Sequence, residues 1–238
     1  MVLKDSHNNI GIIIQARTGS TRFPKKILKK IKGKTIIEIM FSRLKNLDRI
    51  KKIVATTKKR KDDIIEKISK KNKFEIFRGS ENDVLKRYYD CAKKNNLTTI
   101  IRLTSDCPFI DQKLIKKMLK IFFSKKVDYL SNTVPLKKSR YPNGSDIEVF
   151  TFNALKKANE KCRKKYDREH VTNFFVKDKT KFRTYILKPK NDLSKYRYTL
   201  DYPEDLTIIK FIYTTIIESK IFGTTEQITN IIKRYNSE

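Results

Sequence analysis

Apolar runs alternate with amphipathic segments along the first half of the chain. Four of these runs predict strands, over residues 10–15, 50–56, 74–77 and 98–103. Apolar residues at helical spacing predict helices that begin near Thr35 and that span 62–71, 81–94 and 111–123. The Thr35–Glu38 pair and Asp111 are suitable N-terminal caps for two of these helices. Strand–helix alternation with short connections predicts an α/β fold with a mostly parallel sheet.

The pattern changes after Val127. Further strands are predicted over residues 128–132, 145–151, 182–187 and 196–200. Helices are predicted over 152–164 and 169–176, and two more close the chain. The sequence contains no internal repeat and no linker rich in Pro, Gly or Ser. We therefore expect one domain over residues 1–238, with a small acceptor-binding or dimerisation subdomain around residues 133–180.

Polar segments follow three of the predicted strands, after Gln15, Phe77 and Leu103. Ligands of parallel α/β sheets bind beyond the carboxyl ends of the strands. We therefore expect these three segments, which lie far apart in the sequence, to converge on one crevice.

The first polar segment, residues 15–26, is suited to binding phosphate. Its small residues let backbone amides approach an anion, and Arg17 and Arg22 can each grip phosphate oxygens in bidentate fashion. Lys25 and Lys26 add positive charge. The spacing is not that of a Walker A loop. An ordinary basic surface loop is the alternative interpretation.

The second polar segment begins with Arg78. Ser80 and Asp83 have the spacing of a helix cap, and capping explains both of them without any ligand. Capping does not require Arg78, which is therefore a candidate for contact with a nucleotide base or a phosphate.

Two aspartates are candidate metal ligands. Asp106 follows a buried-looking strand, and a carboxylate at such a strand end suits Mg²⁺, although a turn aspartate is the alternative. Asp201 precedes a helix that we predict to start at Pro203. Glu204 and Asp205 would then lie in the first helical turn, where acids favour the helix dipole. This interpretation leaves Asp201 without a structural role.

Lysine dominates the composition, and the formal net charge is +30. Such a charge is typical of proteins that bind nucleic acids or acidic surfaces, but the lysines are scattered and no zinc-finger, RRM or KH signature accompanies them. We favour a solvated lysine coat, of the kind that AT-rich codon usage produces. Residues 1–9 lack a signal-peptide pattern, no apolar run reaches the ~20 residues of a membrane span, and three cysteines lack paired spacing. A cytoplasmic protein is expected.

Taken in order, these motifs resemble the cytidylyltransferase family that includes the acylneuraminate and 3-deoxy-manno-octulosonate enzymes, and most of all its spore-coat polysaccharide branch. The matching segments are residues 13–28, 53–57, 77–89, 101–111, 146–152, 168–172 and 198–206. The resemblance implies a Rossmann-like nucleotidyltransferase fold, with a mostly parallel mixed sheet flanked by helices, and a homodimer. It also implies Mg²⁺-dependent transfer of CMP from CTP to a small acidic sugar-like acceptor, with release of pyrophosphate.

The resemblance also assigns site residues. Nucleotide binding falls on Gln15, Ala16, Arg17, Gly19, Ser20, Thr21, Arg22, Lys26, Arg78, Gly79, Ser80, Arg102, Thr104 and Asp106. The metal ligands would be Asp106 and Asp201, and the catalytic residues Arg17, Lys26, Asp106 and Asp201. Acceptor binding would involve Asp146, Glu148, Arg168 and His170.

The chain departs from the family pattern at two positions. Lys25 stands where the family loop usually has glycine, and Tyr202 stands where a small capping residue is usual. Two alternative functions remain open: a nucleotidyltransferase that uses another nucleoside triphosphate, and a basic RNA- or membrane-surface-binding protein on a degenerate transferase scaffold.

Overall fold

The computed structural model describes residues 9–135, 139–177 and 181–237. In this part of the chain, seven strands form one mixed sheet in the order β5-β4-β1-β6-β8-β7-β9. They are β1 (Ile10–Gln15), β4 (Lys51–Thr57), β5 (Glu75–Gly79), β6 (Thr99–Thr104), β7 (Tyr129–Ser131), β8 (Glu148–Thr151) and β9 (Thr184–Ile186). A small hairpin, β2 (Lys30–Ile31) with β3 (Lys34–Thr35), stands apart. Only β8 runs antiparallel to its neighbours, β6 and β7.

Helices cover both faces of the sheet. They are α1 (Ile36–Leu44), α2 (Asp63–Lys71), α3 (Val84–Lys94), α4 (Gln112–Lys125), α5 (Phe152–Lys161), α6 (Lys165–Glu169), α7 (Asn173–Lys177), α8 (Asp205–Glu218) and α9 (Thr225–Tyr235). Short 3₁₀ helices span Lys26–Leu28 and Arg60–Asp62. The predicted α/β class, with a mostly parallel mixed sheet flanked by helices, is confirmed. Within the described ranges, no helix combines the length and the apolarity that crossing a membrane requires.

Alternation along the strands builds two cores. In β1, Ile12 and Ile14 pack with α1, α2 and α4, whereas Ile13 packs with α3, α5 and α7 on the opposite face. A third cluster joins α8 and α9 to Phe109 and Tyr198. The predicted caps are confirmed: Thr35 and Glu38 form a complete capping box, and Asp111 accepts from the backbone N–H of Lys113 at 2.8 Å.

The structure corrects two predictions in the second half of the chain. Residues 196–200, predicted as a strand, are irregular and form one isolated bridge, Asn143 with Arg197. Their alternating apolar side chains are buried in the third cluster, but a loop takes the place of the partner strand. Of the helix predicted over 169–176, only the part from Asn173 is helical, in α7, since Glu169 ends the preceding helix α6 and Val171 between them has a positive φ of 54°.

The start of α8 also differs from the prediction. The helix begins at Asp205 and not at Pro203. The Asp205 carboxylate accepts from the backbone N–H groups of Asp201 at 2.7 Å and Tyr202 at 2.8 Å. This carboxylate therefore shapes a turn that ends immediately before the helix. The subdomain predicted around residues 133–180 stays a prediction, and residues 136–138 and 178–180 of it lie outside the described residues.

Candidate active site

The polar loop that follows β1 is anchored by a buried aspartate. Asp62 accepts from the backbone N–H of Thr18 at 2.8 Å and from its hydroxyl at 2.7 Å. The Thr57 hydroxyl donates to the other oxygen of this carboxylate, and Asp62 is fully buried. Sequence reasoning placed Asp62 only at the start of a helix, where an aspartate is ordinary, and no pattern indicated its contact with the loop. Asp62 therefore fixes the shape of a loop 44 residues away in sequence.

At the end of this loop, the chain enters the 3₁₀ helix through an unusual conformation. Lys25 has φ 55° and ψ 24°, in the left-handed region that favours glycine. This geometry explains the glycine that the family usually has here. A lysine at the same position places the next residue, Lys26, correctly at the cost of some backbone strain.

Lys26 lies between the two aspartates assigned to the metal. Its Nζ is 2.8 Å from Asp106 Oδ2 and 3.1 Å from Asp201 Oδ1. Burial alone would lower the pKa of Lys26, but the two carboxylates outweigh burial and raise this pKa above its usual value. The structure therefore brings together three of the four residues predicted to be catalytic.

Backbone contacts bring Asp201 to Asp106. The N–H of Leu200 donates to the carbonyl of Asp106 at 2.9 Å, so the chain before α8 lies against the end of β6. Arg22 Nη2 is 3.0 Å from Asp201 Oδ1, and Arg197 Nη2 is 3.2 Å from Asp201 Oδ2. The Arg22 guanidinium also stacks 5.0 Å from the centre of the Tyr202 ring. Tyr202, the second departure from the family pattern, thus supports a cation of the loop.

A cavity of about 170 Å³ opens beside this cluster. It is lined by Gln15, Arg17, Ser20, Thr21, Arg22, Lys26, Ile27, Thr104, Ser105 and Asp106. Two of the three segments that the sequence predicts to converge, those after β1 and β6, line this cavity, whereas Arg78, Gly79 and Ser80 after β5 are not among its lining residues. A larger cavity of about 560 Å³ lies between α4 and α9, and it is lined by none of the predicted site residues.

Arg17, the fourth residue predicted to be catalytic, is the least constrained cation of this cavity. Its Nη2 is 3.8 Å from Glu169 Oε1, and 37% of its side chain is exposed. It is therefore free to turn toward a bound anion.

Nearby, Lys61, which the sequence reasoning missed, approaches the same loop. Lys59 and Lys61 both pair with Glu81, and Lys61 Nζ would be only 2.6 Å from a Cβ at Gly19. The basic run at residues 58–61 did not indicate that Lys61 lies beside the loop after β1, because lysines are scattered along the whole chain.

Arg78 is fully engaged with its own surroundings. Its Nε donates to the carbonyl of Thr57 at 2.9 Å and its Nη2 to that of Lys59 at 2.8 Å. Its Nη1 pairs with Asp63 and Glu66. Arg78 therefore ties the end of β5 to the connection between β4 and α2.

The loop after β5 has its own internal supports. Ser80 Oγ accepts from the N–H of Asp83, which caps α3 as the sequence predicts. Gly79 lies so close to Arg87 that a Cβ at this position would be only 2.8 Å from Arg87 Cγ. Arg87, which the sequence reasoning missed, is fully buried and donates to the carbonyl of Ser80.

Arg102 and Glu148 pair with each other. They are register neighbours in β6 and β8 and form a buried ion pair. Arg102 also donates to Gln15 Oε1 at 3.3 Å, and the Tyr129 hydroxyl donates to Glu148 at 2.6 Å. Burial would lower the pKa of Arg102, but Glu148 outweighs it and raises this pKa. One residue assigned to the nucleotide and one assigned to the acceptor therefore satisfy each other inside the sheet.

Asp146 is a neighbour of Asp106 through the Cys107 thiol. It accepts from the Thr133 hydroxyl at 2.7 Å and from the N–H of Gly144 at 2.7 Å. The Cys107 thiol lies between them, 3.9 Å from Asp106 and 3.7 Å from Asp146. Burial raises the pKa of Asp146, and it raises that of Cys107 well above its usual value, so the thiol is a neutral packing group.

The other two predicted acceptor residues lie near α3 and α6. Arg168 Nε donates to Asp83 Oδ2 at 2.9 Å, and Arg168 Nη2 donates to Asn159 at 2.8 Å. His170 is exposed, with its ring centre 4.3 Å from that of Tyr166. Of the four acceptor residues, Asp146 is thus the one joined to Asp106 through a shared neighbour.

Comparisons with known proteins show which family the chain resembles. The sequence pattern of the cytidylyltransferases matches residues 11–233. An uncharacterized protein of Methanocaldococcus jannaschii is 37% identical over 199 residues, covering 82% of this chain and 79% of that protein. The spore coat polysaccharide biosynthesis protein SpsF of Bacillus subtilis is 33% identical over 230 residues, covering 93% of each. A solved cytidylyltransferase structure from Leptospira borgpetersenii has a TM-score of 0.89 and 36% identity, covering 97% of this chain and 96% of that one.

These matches extend over nearly the whole chain, and they include both the loop after β1 and the segment that carries Asp201. The resemblance noted in the sequence is thereby confirmed, and the chain belongs to the cytidylyltransferase family.

Proposed function

We propose that this protein transfers CMP from CTP to a small acidic sugar or sugar-like acceptor and releases pyrophosphate. The observation that carries the proposal is the meeting of Lys26, Asp106 and Asp201 beside a cavity lined by Arg17 and Arg22. The similarity to a spore coat polysaccharide biosynthesis protein supports a role in making a surface polysaccharide or glycoconjugate.

The loop after β1 would hold the triphosphate. Arg17 and Arg22 are exposed enough to turn toward phosphate oxygens, and Ser20 and Thr21 line the same cavity with hydroxyl groups. Guanidinium–phosphate contacts are charge-assisted and bidentate, which favours them over contacts with water. The anchor at Asp62 keeps the loop in one shape before the nucleotide arrives, which reduces the entropy lost on binding.

Asp106 and Asp201 would hold Mg²⁺. Their oxygens reach the same ammonium group, so one cation can contact both carboxylates. Mg²⁺ commonly takes one or two protein carboxylates and completes its shell with substrate phosphates and water. Among the described residues, no group of three or more His, Cys, Asp and Glu side chains is arranged for a metal, so the proposal rests on these two carboxylates. When bound, Mg²⁺ would neutralise phosphate charge and assist displacement at the α-phosphorus.

In the proposed reaction, a hydroxyl oxygen of the acceptor forms a bond to the α-phosphorus while the bond to pyrophosphate breaks and the hydroxyl proton passes to solvent. Lys26 and Arg22 would stabilise the negative charge that develops on the leaving group. Asp146, which shares the neighbour Cys107 with Asp106, would accept a hydrogen bond from the acceptor. The acceptor contacts of Arg168 and His170 stay predictions. So do the homodimer and the cytoplasmic location.

Thermal unfolding with each of the four nucleoside triphosphates and Mg²⁺ tests the proposal. CTP should raise the melting temperature most, because a ligand at about 100 times its dissociation constant adds about 2.7 kcal/mol of stability. Pyrophosphate release should then require an acidic sugar together with CTP. Equal shifts with all four nucleotides would support a transferase that uses another nucleotide. The absence of any shift, with RNA binding that weakens steeply as salt rises, would support the polyanion-binding alternative.

A further inference from the structure

The carboxylates assigned to the metal are occupied by cations of the chain itself. Lys26 Nζ bridges Asp106 Oδ2 at 2.8 Å and Asp201 Oδ1 at 3.1 Å. Arg22 Nη2 lies 3.0 Å from the same Asp201 oxygen. Lys26 and Arg22 thus balance the charge of Asp106 and Asp201 beside the cavity, while Arg197 pairs with both Asp201 and Asp205.

Both cations belong to the loop that faces the triphosphate site. Lys26 is nearly buried, with 8% of the residue exposed, whereas 53% of the Arg22 side chain is exposed. Mg²⁺ binds oxygen at about 2.0–2.1 Å, so an ion shared by Asp106 and Asp201 needs the space that the Lys26 ammonium fills. Mg²⁺ and the Lys26 ammonium would also repel each other strongly at such a short separation.

We propose that Lys26 and Arg22 close the metal site in the nucleotide-free protein, and that the triphosphate opens it by drawing both cations onto its own oxygens. This proposal rests on the proposed function, because it concerns the same nucleotide and metal. The exchange balances charge: two single positive charges leave the carboxylates, and one doubly charged ion replaces them. The metal site is therefore completed only when a nucleotide is bound.

The exchange has a physical reason in each direction. Without nucleotide, two adjacent and partly buried carboxylates would repel each other, and Lys26 removes that repulsion. With nucleotide, the phosphates offer Lys26 and Arg22 charge-assisted partners of equal quality. Arg197 remains on Asp201 and Asp205, so Asp201 keeps its position while its other partners change. Binding of nucleotide and of metal is then positively coupled, each increasing the affinity for the other by the same factor.

The test measures Mn²⁺ binding by the nucleotide-free protein, with the signal of free Mn²⁺ in electron paramagnetic resonance. The wild type should bind Mn²⁺ weakly, and the Lys26→Met variant should bind it at least about tenfold more tightly, because the competing ammonium is gone. Adding Asp106→Asn to Lys26→Met should abolish that gain, which places the ion on these carboxylates. Lys29→Met is the matched control: Lys29 is exposed near the same turn and contacts the Phe23 ring, and its loss should leave Mn²⁺ affinity unchanged.

Tight Mn²⁺ binding by the nucleotide-free wild type, or unchanged affinity in a folded Lys26→Met protein, would overturn the proposal. If Lys26→Met does not fold, Arg22→Gln decides, since its exposed guanidinium contributes less to packing and its loss should strengthen Mn²⁺ binding severalfold. Unchanged affinity in that variant would also overturn the proposal. These measurements contain no nucleotide, so they stand apart from the CTP screen. If CTP gives no larger thermal shift than the other nucleotides but Lys26→Met strengthens Mn²⁺ binding, only the cytidylyl assignment is refuted. If CTP gives the largest shift but Lys26→Met leaves Mn²⁺ affinity unchanged, only the proposed cation exchange is refuted.

Discussion

At the scale of single residues, Asp62 has a structural role that the sequence does not reveal. It is a fully buried carboxylate, and three donors from Thr18 and Thr57 satisfy it. A buried carboxylate is tolerated only when hydrogen bonds replace its lost hydration. Here these bonds also connect the loop after β1 to the end of β4. The stability of the protein and the shape of the proposed nucleotide site therefore depend on the same side chain.

We expect Asp62→Ala to lower the free energy of unfolding by about 3 kcal/mol, because buried donors at Thr18 and Thr57 lose their acceptor. The loop should loosen as well, so CTP should bind more weakly. Urea unfolding and nucleotide titration measure the two effects. Asp63→Ala is the control: the neighbouring carboxylate is half exposed and pairs with Arg78, so its loss should cost less than about 1 kcal/mol. Equal losses in the two variants would contradict the anchoring role of Asp62.

Among the elements, the start of α8 is held by a carboxylate whose charge matters. Asp205 accepts from the N–H groups of Asp201 and Tyr202 and pairs with Arg197. Burial opposes ionisation, but the Arg197 guanidinium and the two backbone donors outweigh it and hold the pKa of Asp205 below its usual value. The ionised form therefore stabilises the turn that presents Asp201 to Lys26.

This shift sets the sign of a pH dependence. Because the pKa of Asp205 is lower in the folded state, its contribution is fully present above the unfolded pKa of about 3.9 and is lost as the pH falls through the folded pKa. Asp205→Asn should therefore cost about 1–2 kcal/mol at neutral pH, and the difference from wild type should shrink as the pH falls below about 4. Urea unfolding at several pH values measures it.

Glu204→Gln is the control for this pH dependence, since it removes the same charge from an exposed neighbour. Its difference from the wild type should be small at every pH. A pH-independent loss in Asp205→Asn would mean that the hydrogen-bond geometry, and not the charge, stabilises the turn.

At the scale of the whole molecule, the net charge of +30 acts on stability. Repulsion between like charges destabilises a compact state, and salt screens it with a Debye length of about 30 Å at 0.01 M and about 8 Å at 0.15 M. The local ion pairs at the active site are shorter than either length. The screening of long-range repulsion should therefore dominate over the weakening of these pairs.

We expect the melting temperature to rise by a few degrees between about 0.01 M and 0.15 M NaCl, since about 1 kcal/mol shifts the midpoint by ~2–4 °C in a protein of this size. Differential scanning fluorimetry measures the rise, and choline chloride at equal ionic strength should reproduce it. A rise seen only with sulfate or phosphate would indicate anion binding at the loop after β1 and would contradict the screening explanation.

Local patterns in the sequence were sufficient to predict most strands and helices of the first half, the caps at Thr35 and Asp111, and the family. Period-2 and period-3.6 apolar patterns report which face of a short segment is buried, and caps depend on neighbours three or four residues away. Parallel strand direction alone predicted that the segments after β1, β5 and β6 would converge, and the structure brings those after β1 and β6 to one cavity. Lys26, Asp106 and Asp201 were selected before their distances were known because they lie in the motifs that carry the family resemblance.

Only the tertiary structure decided which side chains these residues contact. The insertion of antiparallel β8 between β6 and β7 makes Arg102 and Glu148 register neighbours, and the burial of Asp62 brings it to Thr18. It also decided that Lys26 stands between the two aspartates. Such contacts join residues 44 to 175 positions apart, so they depend on strand order, register and packing. Periodicity cannot encode them, because it records the burial of each segment and not the identity of its partner.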